Sequence, residues 1–412
     1  MMHERCTRRA VLIFILMALF LCFEMALQVS PGVMVQDLTS ALKLNSFSLG
    51  LMSGVYFITY SIMQIPSGLM YDRLNIVRVV STAILICTLG AGAFGLAHSF
   101  TQAALARLFM GFSSAFAFIS VLTTAARYFH PRYFAMLVGI AQLLAALGAI
   151  GGAVPIAWLN ANFGWRYSFI GFMVFGLLLI AAIAVAFQGV EMRCKMPPKR
   201  ERVHMSLSSI LSNPQTWIIG IYAFCNWAPI TAFASLWGVP FLMSKYGLSL
   251  STAASYISLI WLGVGCSSPF IGALSDYLKQ RKLLLILSPL LGGIGLFLVV
   301  YTVLSPWLLC LMLFIAGLGS SGQVLSFAVV NDYTDTERRS AAIGFNNMAV
   351  VASGVLVQPL IGKLIEAHAP LATGTYPLAS FTSSLWLLPV FDAVCVFFAL
   401  FLLQETYRVI SA

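Results

Sequence analysis

Three ionisable side chains stand inside long apolar runs of this chain: Glu24, Arg107 and Asp392. A carboxyl group takes up and releases a proton, and a guanidinium group binds a carboxylate or a phosphate. Placing such a group at the centre of a lipid bilayer costs roughly 2.5–3.5 kcal/mol on insertion scales. Because charges are rarely kept at that cost without a role, these residues predict a functional site inside a membrane protein.

The elements that must position these charges are membrane-spanning helices. Of the 412 residues, 60% are apolar and 9% are charged, a composition that excludes a soluble domain of this size. About twelve apolar runs reach the roughly 20 residues that a helix needs to cross a bilayer. The runs are continuous, whereas the strands of a membrane β-barrel are short and alternate in polarity. The predicted fold is therefore an all-α membrane protein with 12 transmembrane helices, near residues 10–30, 47–70, 79–98, 102–125, 134–158, 168–189, 215–242, 252–274, 283–304, 307–331, 340–363 and 383–404.

The distribution of Lys and Arg predicts the topology. With a cytoplasmic N-terminus, 18 of the 23 basic residues fall in the termini or in connections on the cytoplasmic side, and 4 fall on the other side. This asymmetry places both termini in the cytoplasm. The net charge of +10 therefore does not indicate nucleic-acid binding, which needs one clustered basic stripe. We expect a monomer in lipid with a small-molecule substrate as its partner. Short connections favour a bacterial inner membrane.

Neither the cysteines nor the histidines form a metal site. Six of the eight cysteines lie in predicted spans, and no C-x-x-C spacing occurs. The five histidines are scattered over tails, connections and one span end. We expect no metal and no organic cofactor. With no nucleophile–base constellation and no phosphate-binding loop, the sequence does not predict an enzyme.

An internal repeat divides the chain. The segment GLMYDRLNIVR at 68–78 recurs as GALSDYLKQRK at 272–282, and the segment at 137–139 is matched by the one at 342–344. A longer polar segment, 190–213, lies between six predicted spans and six more. These features predict two six-helix bundles in the same orientation, residues 1–189 and 214–412, joined by a cytoplasmic linker over 190–213.

Four groups of residues, spread over nearly the whole chain, carry a family resemblance: Gly68, Asp72, Arg73 and Arg78; Gly272, Asp276, Arg281 and Lys282; Arg107 and Gly111; and Gly164, Trp165 and Arg166. They resemble, in that order, the loop motif of the major facilitator superfamily, its second copy, a fourth-span motif of proton-coupled members, and a landmark before the sixth span. Asn75 and Met110 depart from the glycine and the glutamine of these motifs. The resemblance implies a secondary transporter that works by alternating access. Phe23-Glu24 with Val29-Ser30-Pro31 is also similar to bacterial phagosomal transporters of amino acids or nucleosides.

The same resemblance implies a role for the buried charges. The family places spans one and four side by side, so Glu24 and Arg107 are expected to pair, and we hypothesise that this pair couples a proton, H⁺, to transport. In the alternative interpretation, Arg107 reaches the interface and Glu24 is only its counter-charge. Asp392 lies in the twelfth span, which is peripheral in the family, and we expect a structural role for it.

Uncharged polar residues on the cavity spans are the predicted substrate contacts, although an interhelical hydrogen bond is the commoner use of each alone. They are Gln28, Tyr56, Tyr60, Gln142, Asn226, Trp227, Gln323 and Asn347. Pro229 is expected to loosen the seventh span next to two of them. The predicted cytoplasmic gate consists of the two loop motifs, in which acids meet arginines and a glycine permits close approach: Gly68, Asp72, Arg73, Arg78, Gly272, Asp276 and Arg281.

The sequence thus predicts proton-coupled uptake of a small polar metabolite such as an amino acid. Two alternatives stay open at this point. Proton-coupled efflux of drugs or siderophores is compatible with the same arginine in the fourth span. A membrane receptor that binds a solute without moving it is less favoured, because such receptors usually carry a large signalling domain.

Overall fold

The computed structural model describes residues 2–129, 134–186, 210–334, 339–368 and 376–407, so most of the predicted linker 190–213 lies outside the described residues. Within these ranges the chain is built from helices. The α-helices are α1 (Met2–Val29), α2 (Val35–Leu42), α3 (Ser46–Arg73), α4 (Ile76–Gly95), α5 (Phe100–Tyr128), α6 (Phe134–Phe163), α7 (Trp165–Ala186), α8 (Pro214–Pro229), α9 (Gly238–Tyr246), α10 (Leu250–Leu278), α11 (Lys282–Tyr301), α12 (Pro306–Gly319), α13 (Gly322–Tyr333), α14 (Arg339–His368), α15 (Leu378–Thr382) and α16 (Leu387–Phe401). A short 3₁₀ helix, Ser30–Val33, extends α1, and a π-helix, Ile230–Trp237, joins α8 to α9.

Twelve segments of the described chain are long and apolar enough to cross a membrane. We number them as spans 1 to 12: Ala10–Val33, Ser46–Gly68, Ile76–Gly95, Phe100–Ala125, Leu137–Phe163, Trp165–Ala186, Pro214–Tyr246, Leu250–Leu278, Lys282–Tyr301, Pro306–Tyr333, Ala342–His368 and Leu378–Phe401. Each overlaps one predicted span, which confirms the predicted fold class.

Short polar side chains set where several spans begin. The Asn45 side chain accepts a hydrogen bond from the Ser48 backbone N–H at 2.8 Å and forms a capping box with that residue at the start of α3. The side chains of Asn75 and Ser99 likewise accept hydrogen bonds from backbone N–H groups in the first turns of α4 and α5. Asn75, which departs from the family's glycine, thus supplies a helix cap where the loop motif turns into span 3.

Two spans are not regular α-helices. Span 7 changes to the π-helix Ile230–Trp237 directly after Pro229, so the loosening predicted at that proline is present. Span 10 is interrupted between α12 and α13, at Ser320 and Ser321. Such interruptions free backbone groups at membrane depth, where protein partners must satisfy them because the lipid offers none.

Burial separates central spans from peripheral ones. In spans 1 and 7, 72% and 78% of the residues in the most apolar stretch are buried, against 28% and 33% in spans 6 and 12. The latter two therefore lie at the periphery of the bundle with most of their surface exposed, and spans 1 and 7 lie at the centre. Glu24 of span 1 and Arg107 of span 4 are fully buried, so both charged side chains lie in the interior of the bundle.

Two helix seams join the first six spans to the last six: span 2 packs against span 11, and span 5 packs against span 8. We call the side of the bundle that carries both described chain ends the terminal face, and the other side the opposite face. Towards the terminal face the two seams make equivalent contacts, because Gly344 meets Ile65 in one seam and Gly139 meets Pro269 in the other. Gly139 corresponds to Gly344 in the internal repeat, and Ile65 corresponds to Pro269.

Towards the opposite face, backbone contacts close the seam between spans 2 and 11 and join span 1 to the π-helix of span 7. A Cβ placed on Gly50 of span 2 would lie 2.5 Å from the carbonyl oxygen of Gln358 in span 11, and one on Gly32 would lie 2.6 Å from the carbonyl oxygen of Ser235 in the π-helix. Without a hydrophobic driving force in lipid, helices associate by such close van der Waals packing of small residues. At the terminal face, a Cβ on Gly68 or Gly272 would meet no atom of the described residues within 4 Å. In this conformation the tight backbone contacts of the described residues therefore lie towards the opposite face, and the close approach expected at Gly68 and Gly272 stays a prediction.

Candidate functional site

Glu24, Tyr56 and Arg107 form one buried cluster in the first six spans. Glu24 and Arg107 are 0% exposed, as is Tyr56. The Tyr56 hydroxyl donates a hydrogen bond of 2.7 Å to Glu24 Oε1, and the guanidinium carbon of Arg107 lies 4.3 Å from the centre of the Tyr56 ring. A cation over a desolvated aromatic face is stabilised by about 2 kcal/mol. Tyr56 thus contacts both charged residues, Glu24 through its hydroxyl group and Arg107 through the face of its ring.

The guanidinium of Arg107 is held by the backbone of two neighbouring spans. Its Nη1 donates to the carbonyl oxygen of Leu27 in span 1 at 2.9 Å, and its Nη2 donates to that of Ser53 in span 2 at 3.3 Å. Its Nε, like Glu24 Oε2, has no hydrogen-bond partner among the described residues. Both charged groups therefore keep bonding capacity that the described protein does not use.

Gly111, one helical turn after Arg107 in span 4, explains how Tyr56 reaches this position. A Cβ on Gly111 would overlap the backbone carbonyl of Tyr56, so only glycine lets spans 2 and 4 approach this closely. The Thr59 hydroxyl adds a hydrogen bond of 2.7 Å to the Leu108 carbonyl across the same contact. Gly111, singled out in the sequence with Arg107, thus sets the distance between the Tyr56 ring and the Arg107 guanidinium.

The predicted proximity of Glu24 and Arg107 is present, but the contact is not a direct ion pair. The ion pairs found in the described part of the chain involve Arg281 instead. Arg107 is satisfied by backbone carbonyls and by the Tyr56 ring, and Glu24 by the Tyr56 hydroxyl. The structure therefore brings the two charges together around a tyrosine that the sequence analysis had placed among the substrate contacts.

A polar stripe continues from this cluster along span 2. Tyr60 packs edge-on against Tyr56 with ring centres 5.9 Å apart, and Gln64 follows one turn later. The amide of Asn347 in span 11 donates to Gln64 Oε1 at 2.6 Å. Asn347 is thus committed to a bond between the two halves. Gln64 was missed in the sequence analysis, although its spacing of four residues from Tyr60 and eight from Tyr56 is the signal that finds it.

In the last six spans, Asn226 holds the interruption of span 10. Its Nδ2 donates to the Gly319 carbonyl at 3.2 Å, and its Oδ1 accepts from the backbone N–H of Gln323 at 2.8 Å. Satisfying this broken helix is therefore a structural task of Asn226. The Oε1 atom of Gln323 is buried without a described partner.

The other predicted substrate contacts are more dispersed. Gln28 is buried one turn after Glu24 in span 1, and Gln142 is half-buried in span 5. Trp227 packs edge-on against Trp261 with ring centres 6.4 Å apart, and the Nε1 of Trp261 has no described partner. Trp261 was not predicted, because nothing in its local sequence separates it from an ordinary apolar residue.

Asp392 lies apart from the cluster, in span 12. It is 3% exposed, faces Gly293 of span 9, and its Oδ2 has no hydrogen-bond partner within the described ranges. No group of three His, Cys, Asp or Glu side chains suited to a metal ion occurs among the residues that the structure describes.

At the terminal face, the second loop motif forms a charged cluster. Arg281 contacts Asp276 at 2.6 Å and Asp332, at the end of span 10, at 3.1 Å. Partial burial lowers the pKa of Arg281, but the hydrogen bonds and charges of the two carboxylates outweigh burial, so its pKa is raised overall. Arg281 therefore stays charged and ties the ends of spans 8 and 10 to the start of span 9.

The C-terminal segment crosses this cluster. The carboxylate of Glu405 accepts hydrogen bonds from the backbone N–H groups of Arg281 and Lys282 at 3.0 Å, at the positive end of α11. Partial burial raises the pKa of Glu405, but these backbone donors outweigh it and lower the pKa overall. The Tyr407 hydroxyl donates to the Asp276 carbonyl at 3.3 Å, so the segment spans the whole motif.

The first loop motif is described only in part. Gly68 is half-buried and the Arg78 side chain is exposed, while the side chains of Asp72 and Arg73 lie outside the described residues. The predicted gate contacts of Asp72 therefore stay a prediction.

Sequence comparison identifies relatives over most of the chain. The sequence profile of the Major Facilitator Superfamily matches residues 13–359 and 223–410. The hexuronate transporter of Bacillus subtilis (strain 168) is 22% identical over 375 residues, which cover 85% of this chain and 85% of that protein. The 3-(3-hydroxy-phenyl)propionate transporter of Escherichia coli (strain K12) is 23% identical and covers 88% of this chain and 89% of that protein.

Structural comparison finds the same architecture in solved proteins. A bacterial homologue of the human lysosomal transporter Spinster, in an inward-facing and unoccupied conformation, superposes with a TM-score of 0.76 at 16% identity, covering 95% of this chain and 97% of that one. A D-xylose–proton symporter superposes with a TM-score of 0.74 at 15% identity, covering 96% and 98%. At these identities the superpositions establish the fold.

Proposed function

This chain belongs to the Major Facilitator Superfamily of membrane transporters, and from that premise we propose that it takes up a small polar metabolite with a carboxylate group together with a proton. Its relatives are named as transporters, which confirms transport as the general activity and the prediction that the chain is not an enzyme. The substrate class, the coupling to protons and the direction of transport are the proposed parts.

The observation that carries the proposal is the burial of Glu24 and Arg107 around Tyr56. Each charge would be expensive to hold alone at this depth, and each retains an unused hydrogen-bonding atom. A carboxyl group with a single donor, the Tyr56 hydroxyl, suits a group that alternates between its neutral and its ionised form. A purely structural counter-charge would gain more from a direct, bidentate pair with the arginine.

Arg107 favours an anionic substrate group. The planar guanidinium fork matches the geometry of a carboxylate, and Nε has no partner in the described protein. Hexuronate and 3-(3-hydroxyphenyl)propionate, named for two relatives, are both carboxylates. In the other half, Gln323 Oε1 and Asn346 Oδ1 are buried acceptors without a described partner, which suits a hydroxyl or ammonium group at the other end of the substrate. An amino acid and a sugar acid both fit this description.

In the proposed cycle, the charge on Glu24 decides what Arg107 binds. When Glu24 takes up a proton, the positive charge of Arg107 has no anionic neighbour and attracts the substrate carboxylate. When Glu24 releases its proton, its negative charge opposes the bound anion and again neutralises Arg107. The proton and the substrate anion therefore cross together, and the bound complex gains no net charge.

Closure of one face at a time completes the proposal. The glycine contacts between spans 2 and 11 and between span 1 and the π-helix would separate when the opposite face opens. The cluster of Arg281, Asp276 and Asp332 would move as a unit at the terminal face. The excess of Lys and Arg supports a cytoplasmic terminal face, and in the proposed cycle in a bacterial inner membrane the opening of the opposite face admits substrate from outside.

The test uses the purified protein in liposomes with an imposed pH gradient, acidic outside. The probes are radiolabelled D-glucuronate, 3-phenylpropionate and a panel of amino acids. We expect gradient-dependent accumulation of at least one carboxylate, which Glu24→Gln abolishes while exchange of internal for external substrate persists. Asp392→Asn removes the other buried carboxyl and serves as the matched control, with accumulation unchanged. Undiminished accumulation by Glu24→Gln contradicts the coupling role, and extrusion of the probe under the same gradient contradicts uptake.

A further inference from the structure

The bond between Arg107 and Leu27 has a cause in the sequence of span 1. In an α-helix, the carbonyl of a residue accepts the backbone N–H four positions later. For Leu27 that position is Pro31, which has no N–H. The Leu27 carbonyl instead accepts from Arg107 Nη1 at 2.9 Å and from the Ser30 hydroxyl at 3.2 Å. The arginine thus replaces the donor that the proline removed.

A second proline-freed carbonyl shows that a charge is not required for this task. Pro289 in span 9 leaves Leu285 without its usual donor, and there the Tyr222 hydroxyl donates to the Leu285 carbonyl at 2.9 Å. A neutral hydroxyl is sufficient in that half. At span 1 the donor is instead the one buried arginine of the cluster described above, so the proline and the site are linked.

The end of span 1 is also fixed at a contact between the halves. Pro31 lies in the 3₁₀ helix Ser30–Val33, and the next residue, Gly32, packs on the carbonyl of Ser235 in the π-helix of span 7. All four residues of this 3₁₀ helix are buried. The backbone at Leu27 therefore has little freedom to find another donor in this conformation.

We propose that Pro31 is a positioning residue for Arg107: by freeing the Leu27 carbonyl it gives the guanidinium a resting partner, which the carboxylate of the substrate must displace. This inference rests on the proposed function of Arg107 as the anion-binding group. Pro31 then lowers the affinity of Arg107 for the substrate carboxylate, because the bond between Arg107 and the Leu27 carbonyl must break when the substrate binds. That bond forms again when the substrate leaves. A transporter gains from this arrangement, because a substrate that is bound too tightly is released slowly.

A double-mutant cycle tests the positioning bond without any substrate. Pro31→Ala restores an N–H that can bond the Leu27 carbonyl, so Arg107→Met should lower the melting temperature less in the Pro31→Ala background than in the wild-type background. The control cycle combines Arg107→Met with Pro289→Ala. Their effects on the melting temperature should add, because the Leu285 carbonyl freed by Pro289 accepts its hydrogen bond from Tyr222 and not from Arg107. If a variant does not fold, Pro31→Gly and Arg107→Lys make the same comparison. Additive effects at Pro31 and Arg107 overturn the proposal.

A transport measurement tests the consequence for affinity. With the carboxylate probe that the wild type accumulates, Pro31→Ala should lower KM about tenfold, the effect of one hydrogen bond to a charged group, without raising kcat. Pro289→Ala should leave KM unchanged. A loss of packing at residue 31 would instead lower kcat and leave KM unchanged, and that outcome overturns the proposal. If no probe is transported by any form of the protein, the proposed function fails, while the melting-temperature cycle still decides whether Pro31 positions Arg107.

Discussion

The two halves of the molecule share a backbone contact but differ in the chemistry placed on it. In the first half, Gly111 of span 4 lies against the carbonyl of Tyr56 in span 2; in the second, Gly317 of span 10 lies against the carbonyl of Ile260 in span 8. One turn before each glycine stand Arg107 and Leu313, and both are buried. The same helix crossing thus presents an arginine and a tyrosine in one half and two aliphatic residues in the other.

The comparison separates what the fold requires from what the function requires. A glycine under a carbonyl is needed in both halves, because the spans approach too closely for a side chain. The charged cluster is not needed for that packing, since Leu313 and Ile260 occupy the equivalent places without it. In the second half, the polar side chain of Asn226 instead stabilises the helix interruption, where it bonds the backbone on both sides of Ser320 and Ser321.

The largest expected effect comes from making the first half resemble the second at Arg107. Arg107→Leu should reduce carboxylate uptake by about 100-fold or more, because a buried charged contact to the substrate is worth roughly 3 kcal/mol. The protein should still fold, since Leu313 is accommodated at the equivalent place. Uptake by purified protein in liposomes measures the effect, with Leu313→Met as the control. Retained uptake would show that the cluster is structural.

The paired glycines allow the comparison to be made at equal packing cost. Gly111→Ala and Gly317→Ala each push a methyl group against a backbone carbonyl, so each should lose roughly 1–3 kcal/mol of stability. Melting temperatures in detergent should fall by similar amounts. Only Gly111→Ala displaces the Tyr56 ring from Arg107, so uptake per folded molecule should fall far more in that variant. Equal losses of uptake would contradict the division between the halves.

A smaller effect on proton-driven uptake is expected when the hydroxyl groups of the neighbouring tyrosines, Tyr56 and Tyr60, are removed one at a time. Tyr56→Phe removes the one described hydrogen-bond donor to Glu24, and we expect proton-driven uptake to fall about tenfold, in line with a bond to a charged group. Tyr60→Phe removes a hydroxyl with no direct bond to that carboxyl in the described structure, so the stimulation of its uptake by the pH gradient should stay at the wild-type ratio. The initial rates of the two variants with and without one pH gradient provide the measurement. A greater loss in Tyr60→Phe would place the proton pathway elsewhere.

The smallest effect concerns Glu405 at the terminal face of the second half. Its pKa is lowered in the folded protein, so its stabilising contribution is present above the pKa of the unfolded chain and is lost as the pH falls through the lowered value. Glu405→Gln should therefore reduce the melting temperature slightly at neutral pH and make no difference in acid. Melting curves across that pH range check this, and a difference that grows towards low pH would have the wrong sign.

Much of the fold could be read from the sequence, because hydropathy and charge act segment by segment. Each of the twelve predicted spans overlaps a helix of the structure, and Pro229 does mark the loosening of span 7. The interruption of span 10 was missed, although the segment GLGSSG at 317–322 has the clustered glycine and serine residues at which helices kink or break. The site was predicted by residue type: Glu24, Arg107 and Tyr56 were all named, but in different roles.

The sequence by itself determined that this chain crosses a membrane twelve times, that it consists of a repeat, and that one acid and one base are buried in its first half. These properties depend on composition and order along the chain, since each residue at bilayer depth incurs its cost wherever the helix packs. Only the tertiary structure decided that Tyr56 bonds Glu24 beneath Arg107, and that Arg107 binds the carbonyl freed by Pro31. Those contacts depend on how the helices are rotated and how closely glycines let them approach, and no single segment encodes that.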